Sequence, residues 1–156
     1  MSIKLISFDF WGTIYHNTPS LKDKQESVIL QFIKNSSIYD IGVSDINRAA
    51  LLTWERWDRY WKESYRTHAV YEWVVMVLEN LQVELSEDSI LECCTALQSL
   101  LFTGNTKEVP GVRVVLEALY NRYKLSVISD TGIESGEYLR RLFRRDKMDY
   151  FGYFSI

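Results

Sequence analysis

Several features that decide function in other proteins are scarce in this chain. Its two cysteines, Cys93 and Cys94, are adjacent, so they form neither a disulfide framework nor a zinc-binding pattern. No stretch approaches the roughly 20 apolar residues of a membrane span, and the N-terminus lacks the longer apolar segment of a secretory signal. The net charge of −3 offers no basic excess to a nucleic acid or a membrane surface. We therefore expect a cytoplasmic protein with buried thiols and no nucleic-acid or membrane partner.

The composition is that of an ordinary globular chain. Its 156 residues, 47% of them hydrophobic, suit one domain or a small core with an inserted element. No internal repeat and no low-complexity segment interrupts the sequence.

Two apolar segments end in small polar residues. The first, Ile3–Phe8, leads into Asp9 and then a glycine and a threonine, and the second, Leu125–Ile128, leads into Ser129. Each ending alone is also typical of a turn or a helix cap. Two such strands, each followed by a helical pattern, favour an open α/β sheet, which binds ligands beyond the carboxyl ends of its strands. An aspartate at such an edge can act as a nucleophile.

Helical periodicity fills most of the remaining chain. Ser44 and Ser86 are the predicted N-caps of two of the helices. The predicted helices run over Leu21–Asn35, from Ser44 to about Tyr65, over Thr67–Leu81, from Ser86 to near Gly104, over Gly111–Arg122 and over Ile133–Arg144. The segment from Tyr150 onward predicts a further strand.

The two strand endings, in this order around a helical insertion, resemble the haloacid dehalogenase-like (HAD) superfamily of hydrolases. Val109-Pro110-Gly111-Val112, followed by a helix, fits the family pattern before the second motif. The resemblance implies a parallel Rossmann-like sheet with an inserted α-helical cap. It divides the chain into an incomplete HAD core over residues 1–15 and 106–156 and a cap over residues 16–105.

The resemblance also implies the roles of individual residues. Asp9 would be the nucleophile that forms a covalent aspartyl intermediate, Thr13 would support it, and Ser129 would bind the transferred group. The substrate-binding residues would be Trp11, Gly12, Asp130 and Thr131. A Mg²⁺ ion would be held by the Asp9 carboxylate and the backbone carbonyl of Trp11.

Trp11 stands where the family's phosphatases have a second aspartate. An indole has one N–H donor and cannot exchange a proton with a leaving group. The haloacid dehalogenases carry an aromatic residue there, because a halide leaves without a proton. Because phosphatases are the commoner members of the family, the resemblance implies a phosphatase acting on a small phosphorylated metabolite. Trp11 favours the alternative, a metal-independent 2-haloacid dehalogenase.

The chain ends before the positions of the family's lysine motif and metal-binding acidic pair. This ending favours a third interpretation, a catalytically inactive binding or assembly protein. The first strand would then have a bare edge, and an apolar edge invites association. We expect an isolated chain to dimerise through that edge or to be poorly soluble.

The second predicted helix carries an aromatic face. Trp54, Trp57 and Trp61 are spaced to share one side of the helix. The spacing favours a stripe packed against other helices, and the alternative is a wall that faces the substrate, since tryptophan offers an apolar body with one polar group.

Overall fold

The computed structural model describes residues 3–16, 20–36, 38–103 and 106–155. The chain folds as two compact units. The first, called the α/β unit, contains residues 1–18, 101–131 and 135–156, and the second, called the helical unit, contains residues 19–100 and 132–134. The roles of core and cap expected of residues 1–15 with 106–156 and of residues 16–105 stay predictions.

The elements alternate between strands and helices at both ends of the chain. In chain order they are β1 (Leu5–Phe8), β2 (Tyr15–His16), α1 (Ser20–Asn35), α2 (Val43–Ser64), α3 (Val70–Leu81), α4 (Glu87–Ser99), a 3₁₀ turn (Leu100–Phe102), β3 (Lys107–Glu108), α5 (Val112–Tyr120), β4 (Lys124–Ile128), α6 (Gly136–Arg145) and β5 (Phe151–Ser155).

The α/β unit is built on a parallel sheet in the order β1-β4-β5. The central strand β4 is paired on both edges, and its Leu125 and Val127 side chains are buried in the apolar core with Leu139 and Leu142 of α6. Helix α6 buries Leu139, Leu142 and Phe143 and exposes the arginines between them, as an amphipathic helix packed on a core should. The α/β fold class with a parallel sheet is therefore confirmed. The short antiparallel pair β2–β3 was not expected from the sequence.

The helical unit packs α1 to α4 around an apolar core that includes Ile29, Ile33, Trp73, Val77 and Leu97. Helices α1, α2 and α3 end within one residue of the predicted positions. Helix α4 ends at Ser99 and is followed by the 3₁₀ turn, and its predicted end near Gly104 lies outside the described residues. None of the helices in the described parts of the chain is long and apolar enough to span a membrane.

The two predicted helix caps have different outcomes. Ser86 caps α4 as predicted, since its side chain accepts a hydrogen bond from the Ser89 amide at 3.3 Å. The prediction that Ser44 caps the second helix is wrong. The N-cap is Gly42, two residues earlier, and the Asp45 carboxylate accepts the Gly42 amide hydrogen at 3.0 Å.

The sixth predicted helix is also corrected at its start. Residues Ile133 and Glu134 were expected to begin it, but α6 begins at Gly136. Ile133 instead lies in the core of the helical unit, where only 3% of its surface is exposed. A long-range burial therefore overrides the local helical pattern at this point.

The tryptophan face of α2 is only partly a core stripe. Trp57 is buried, Trp54 is half-buried, and Trp61 is 41% exposed at the end of the helix. Trp54 packs against Trp57 and against Trp73 of α3, each with ring centroids 5.6 Å apart. The predicted stripe holds for the first two tryptophans and ends before the third.

We expect both cysteine thiols to react slowly with a disulfide reagent in the folded protein. Burial raises the pKa of Cys93 to about 12 and that of Cys94 to about 11, and the thiolate is the reactive form. The measurement is the rate of thiol modification at pH 8 with and without denaturant. The matched control is Thr95→Cys, an exposed position on the same helix, whose thiol should react at once. Equal rates at Cys93 and at the control position would contradict the expectation.

Candidate functional site

The candidate site of the α/β unit begins at the carboxyl ends of two neighbouring parallel strands. Strands β1 and β4 pair in a register that joins Phe8 to Val127. Asp9 directly follows β1, and Ser129 directly follows β4. Both residues therefore leave the sheet at the same edge, where open α/β sheets bind ligands. The side chains of Ser7 and Ser126 hydrogen-bond between the same strands at 2.6 Å.

A tight turn follows Asp9. The amides of Ile14 and Tyr15 both donate to the carbonyl of Phe10, at 2.9 and 3.1 Å. The Gly12 amide donates to the carbonyl of Tyr15 at 2.7 Å, so this amide is used inside the turn. Gly12 has φ +78°, a left-handed conformation that a residue with a Cβ rarely adopts.

The side chains of the first motif differ in their surroundings. Asp9 and Thr13 are exposed, whereas Trp11 is half-buried. The Trp11 indole packs edge-to-face on Phe10, with ring centroids 4.7 Å apart. An exposed carboxylate beside a packed indole provides a nucleophile and no proton donor of useful pKa.

The second motif brings three polar residues after β4. Ser129 is 6% exposed, Thr131 is half-buried and Asp130 is exposed. The predicted site residues of both motifs belong to the α/β unit. Their catalytic and binding roles stay predictions.

The chain then contributes three residues to the helical unit. Within that unit, Gly132 lies against Trp57, and a Cβ on Gly132 would stand 3.0 Å from Cζ2 of the indole. Ile133 is buried in the core, and burial raises the pKa of the Glu134 carboxyl. The sequence signal for this segment, an apolar residue after a glycine, is too short to be distinguished from the start of a helix.

An aromatic cluster in the helical unit was also not predicted from the sequence. His68 stacks on Tyr60 with centroids 4.0 Å apart and meets Trp57 edge-to-face at 5.3 Å. The sequence separates His68 from both rings by a helix end, so spacing alone does not reveal the contact.

The two residues predicted to hold Mg²⁺ have donor atoms that suit this ion, and their role stays a prediction. The Asp9 carboxylate and the Trp11 carbonyl are oxygen donors, which suits Mg²⁺, an ion that usually keeps several waters and takes one or two carboxylates. Over residues 3–16, 20–36, 38–103 and 106–155, no three histidine, cysteine, aspartate or glutamate side chains are grouped as a metal site. The described residues therefore suit a site completed by water and substrate oxygens and not an all-protein cage.

Comparison with solved structures identifies the fold. The 2-haloacid dehalogenase from Pseudomonas syringae matches with a TM-score of 0.60 at 19% identity, over 99% of this chain and 64% of that chain. The chain has the fold of the HAD hydrolases. A predicted phosphoglycolate phosphatase from Haemophilus somnus matches with a TM-score of 0.55 at 20% identity, over 98% and 62% of the two chains. The magnesium-bound structure of YfnB, a HAD-type protein from Bacillus subtilis, matches with a TM-score of 0.57 at 12% identity, over 99% and 63%.

The HAD-like fold expected from the two motifs is therefore confirmed. The chain spans less than two thirds of the length of each of these three structures. It matches no protein-family model and no curated protein.

We expect Gly12→Ala to lower the free energy of unfolding by about 1–2 kcal/mol, because a Cβ is strained at positive φ. No atom lies within 4 Å of the position that the new methyl would take, so the cost comes from the backbone. The measurement is urea unfolding of both proteins. The matched control is Gly152→Ala, which also meets no atom within 4 Å and has no positive φ. A Gly12→Ala protein as stable as this control would contradict the expectation.

Proposed function

We propose that this HAD-like chain is a hydrolase that uses Asp9 as its nucleophile on a small phosphorylated metabolite. One observation carries the proposal: Asp9 and Ser129 follow the carboxyl ends of two adjacent parallel strands. A nucleophile and an anion-binding hydroxyl then share one sheet edge, as a covalent displacement needs.

The chemistry proceeds in two displacements at phosphorus. An Asp9 carboxylate oxygen attacks the phosphorus in line with the ester oxygen, so that an O–P bond forms and the ester O–P bond breaks. The leaving alkoxide takes its proton from water, because the Trp11 indole N–H cannot exchange a proton with a leaving group. Water then attacks the phosphorus of the aspartyl phosphate, which releases phosphate and restores the Asp9 carboxylate.

Ser129 and the backbone N–H groups of Trp11 and Thr13 are the proposed ligands of the phosphoryl oxygens, with Thr13 supporting Asp9. The Gly12 amide donates to the Tyr15 carbonyl, so the proposed contact of Gly12 with the substrate does not use that amide. Asp130 and Thr131 complete the proposed substrate contacts. Asp9 and the Trp11 carbonyl would hold Mg²⁺, which when bound neutralises charge between the carboxylate and the phosphoryl group. We also propose that residues 16–105 form the cap and that the protein is cytoplasmic, where the free thiols Cys93 and Cys94 stay reduced.

We expect the natural gene product to release phosphate from an aryl phosphate, whose leaving group needs little protonation. EDTA should abolish this activity and Mg²⁺ should restore it. Asp9→Asn should lower the rate by more than roughly a thousandfold, because the amide is not a nucleophile. The control is Asp149→Asn, which removes another exposed carboxylate of the α/β unit and should leave the rate unchanged. Equal loss in both variants would contradict the role of Asp9.

A second candidate, the metal-independent 2-haloacid dehalogenase, is favoured by Trp11. Its indole packs on Phe10 and offers no acid to a leaving group, and a halide leaves without one. Chloride release from 2-chloropropionate in the presence of EDTA, lost in Asp9→Asn, would place this reaction ahead of phosphate hydrolysis.

A third candidate, assembly through the sheet edge, is favoured by the exposure of β1. In the described sheet β1 pairs only with β4, and the apolar residues Ile3 and Leu5, at and just before its start, are exposed. We expect this chain to form dimers or larger species by light scattering at about 100 μM, and Leu5→Lys to reduce them, because a lysine blunts edge pairing. A wild-type protein that stays monomeric would contradict this candidate.

A further inference from the structure

Tyr15 closes the turn that follows the proposed nucleophile. Its ring is fully buried and stacks on Phe10, with centroids 5.1 Å apart and planes 28° apart. The same ring tilts against Phe143 of α6 at 5.8 Å. Its amide donates to the Phe10 carbonyl, and its own carbonyl accepts the Gly12 amide hydrogen. Tyr15 therefore holds the turn from both its backbone and its side chain.

The Tyr15 hydroxyl reaches a charged partner at the end of α6. It donates to Oδ2 of Asp146 at 2.8 Å. Arg145 donates to both oxygens of the same carboxylate, from Nε at 2.7 Å and from Nη2 at 2.9 Å. Burial alone would raise the pKa of Asp146, but the hydrogen bonds from Arg145 and Tyr15 outweigh it and lower that pKa. Burial raises the pKa of Tyr15, so the phenol remains a donor to a carboxylate.

A second arginine links this bond to the strand beside Tyr15. Arg113 of α5 donates from Nη2 to the Asp146 carbonyl at 2.9 Å and forms a two-pronged ion pair with Glu108. Glu108 lies in β3, directly opposite Tyr15 in the β2–β3 ladder. The contacts therefore form a closed ring that runs from Tyr15 through Asp146, Arg113 and Glu108 back to Tyr15.

We propose that Tyr15 is a positioning residue, whose hydrogen bond to Asp146 keeps the turn after Asp9 in its site conformation. If position 15 were needed only for packing, a ring without a hydroxyl would suffice, because burying a hydroxyl costs free energy unless it is hydrogen-bonded. The catalytic meaning of this role rests on the function proposed for Asp9. The restraint on the turn does not.

The experiment compares Tyr15→Phe, which keeps the ring and removes the hydroxyl, with Tyr39→Phe. Tyr39 donates its phenol hydrogen to the Glu84 carbonyl at 3.3 Å within the helical unit, so this control also removes one tyrosine hydrogen bond but takes it from the other unit. Amide hydrogen exchange is followed by NMR at Gly12, Ile14 and Tyr15, with Val127 of β4 as an internal reference. In Tyr15→Phe the turn amides should exchange roughly tenfold faster relative to Val127, which reflects the loss of one buried hydrogen bond.

The control should leave all of these amides unchanged. Asp146→Ala, which removes the acceptor and leaves Tyr15 intact, should accelerate the same amides. Turn exchange in Tyr15→Phe that equals that of Tyr39→Phe overturns the proposal, and so does acceleration that includes Val127 equally, because the role is then general stability.

Activity gives a separate readout. If Asp9-dependent hydrolysis is measured, Tyr15→Phe should lower kcat more than it raises KM, because the turn orients the attacking group. Absence of Asp9-dependent activity contradicts the proposed function, while the exchange experiment still decides the role of Tyr15.

Discussion

The pairing of β1 with β4 is the constraint on which the candidate site depends. Four residue pairs in parallel register, from Leu5 with Lys124 to Phe8 with Val127, bring the two strand ends to within one residue of each other. A slip by one residue would turn every side chain of one strand to the opposite face of the sheet. Asp9 and Ser129 share an edge because this register is kept, and the central strand keeps it by burying Leu125 and Val127.

In the turn after β1, the candidate site is exposed to solvent while its backbone conformation is fixed. Asp9 and Thr13 are exposed, yet the residues that directly follow them, Phe10 and Ile14, are fully buried. The fixed points lie in the core and the reactive group lies outside it. A buried tyrosine bonded to a carboxylate with a lowered pKa adds direction to this packing, which apolar contacts alone do not supply.

Much of the fold could be predicted because it depends on local sequence patterns. Strands β1 and β4 are short apolar runs with polar ends, and the helix faces follow the helical period. The candidate residues Asp9 and Ser129 were found because each directly follows such a run. The start of the second helix was misplaced because Ser44 is a good capping residue by type, whereas the chain path makes Gly42 the N-cap and brings the Asp45 carboxylate back to the Gly42 amide.

What could not be predicted depends on contacts between residues far apart in sequence. Tyr15 and Asp146 are 131 positions apart, and no spacing rule connects them. Strands β2 and β3 have two residues each, too few to show alternation. Ile133 resembles the first apolar residue of α6, and its burial depends on helices that lie far earlier in the chain.

The place of Ile133 also limits how modular this protein can be. The helical unit is drawn from two stretches of sequence, residues 19–100 and the three residues 132–134. A graft of residues 19–100 into another scaffold would lack Ile133, which the core of the helical unit requires. The protein from which those residues were removed would keep Ile133 with no apolar core to bury it. Recombination that exchanges such helical insertions between relatives would therefore need to carry the tripeptide along, or to replace it with one of matching volume.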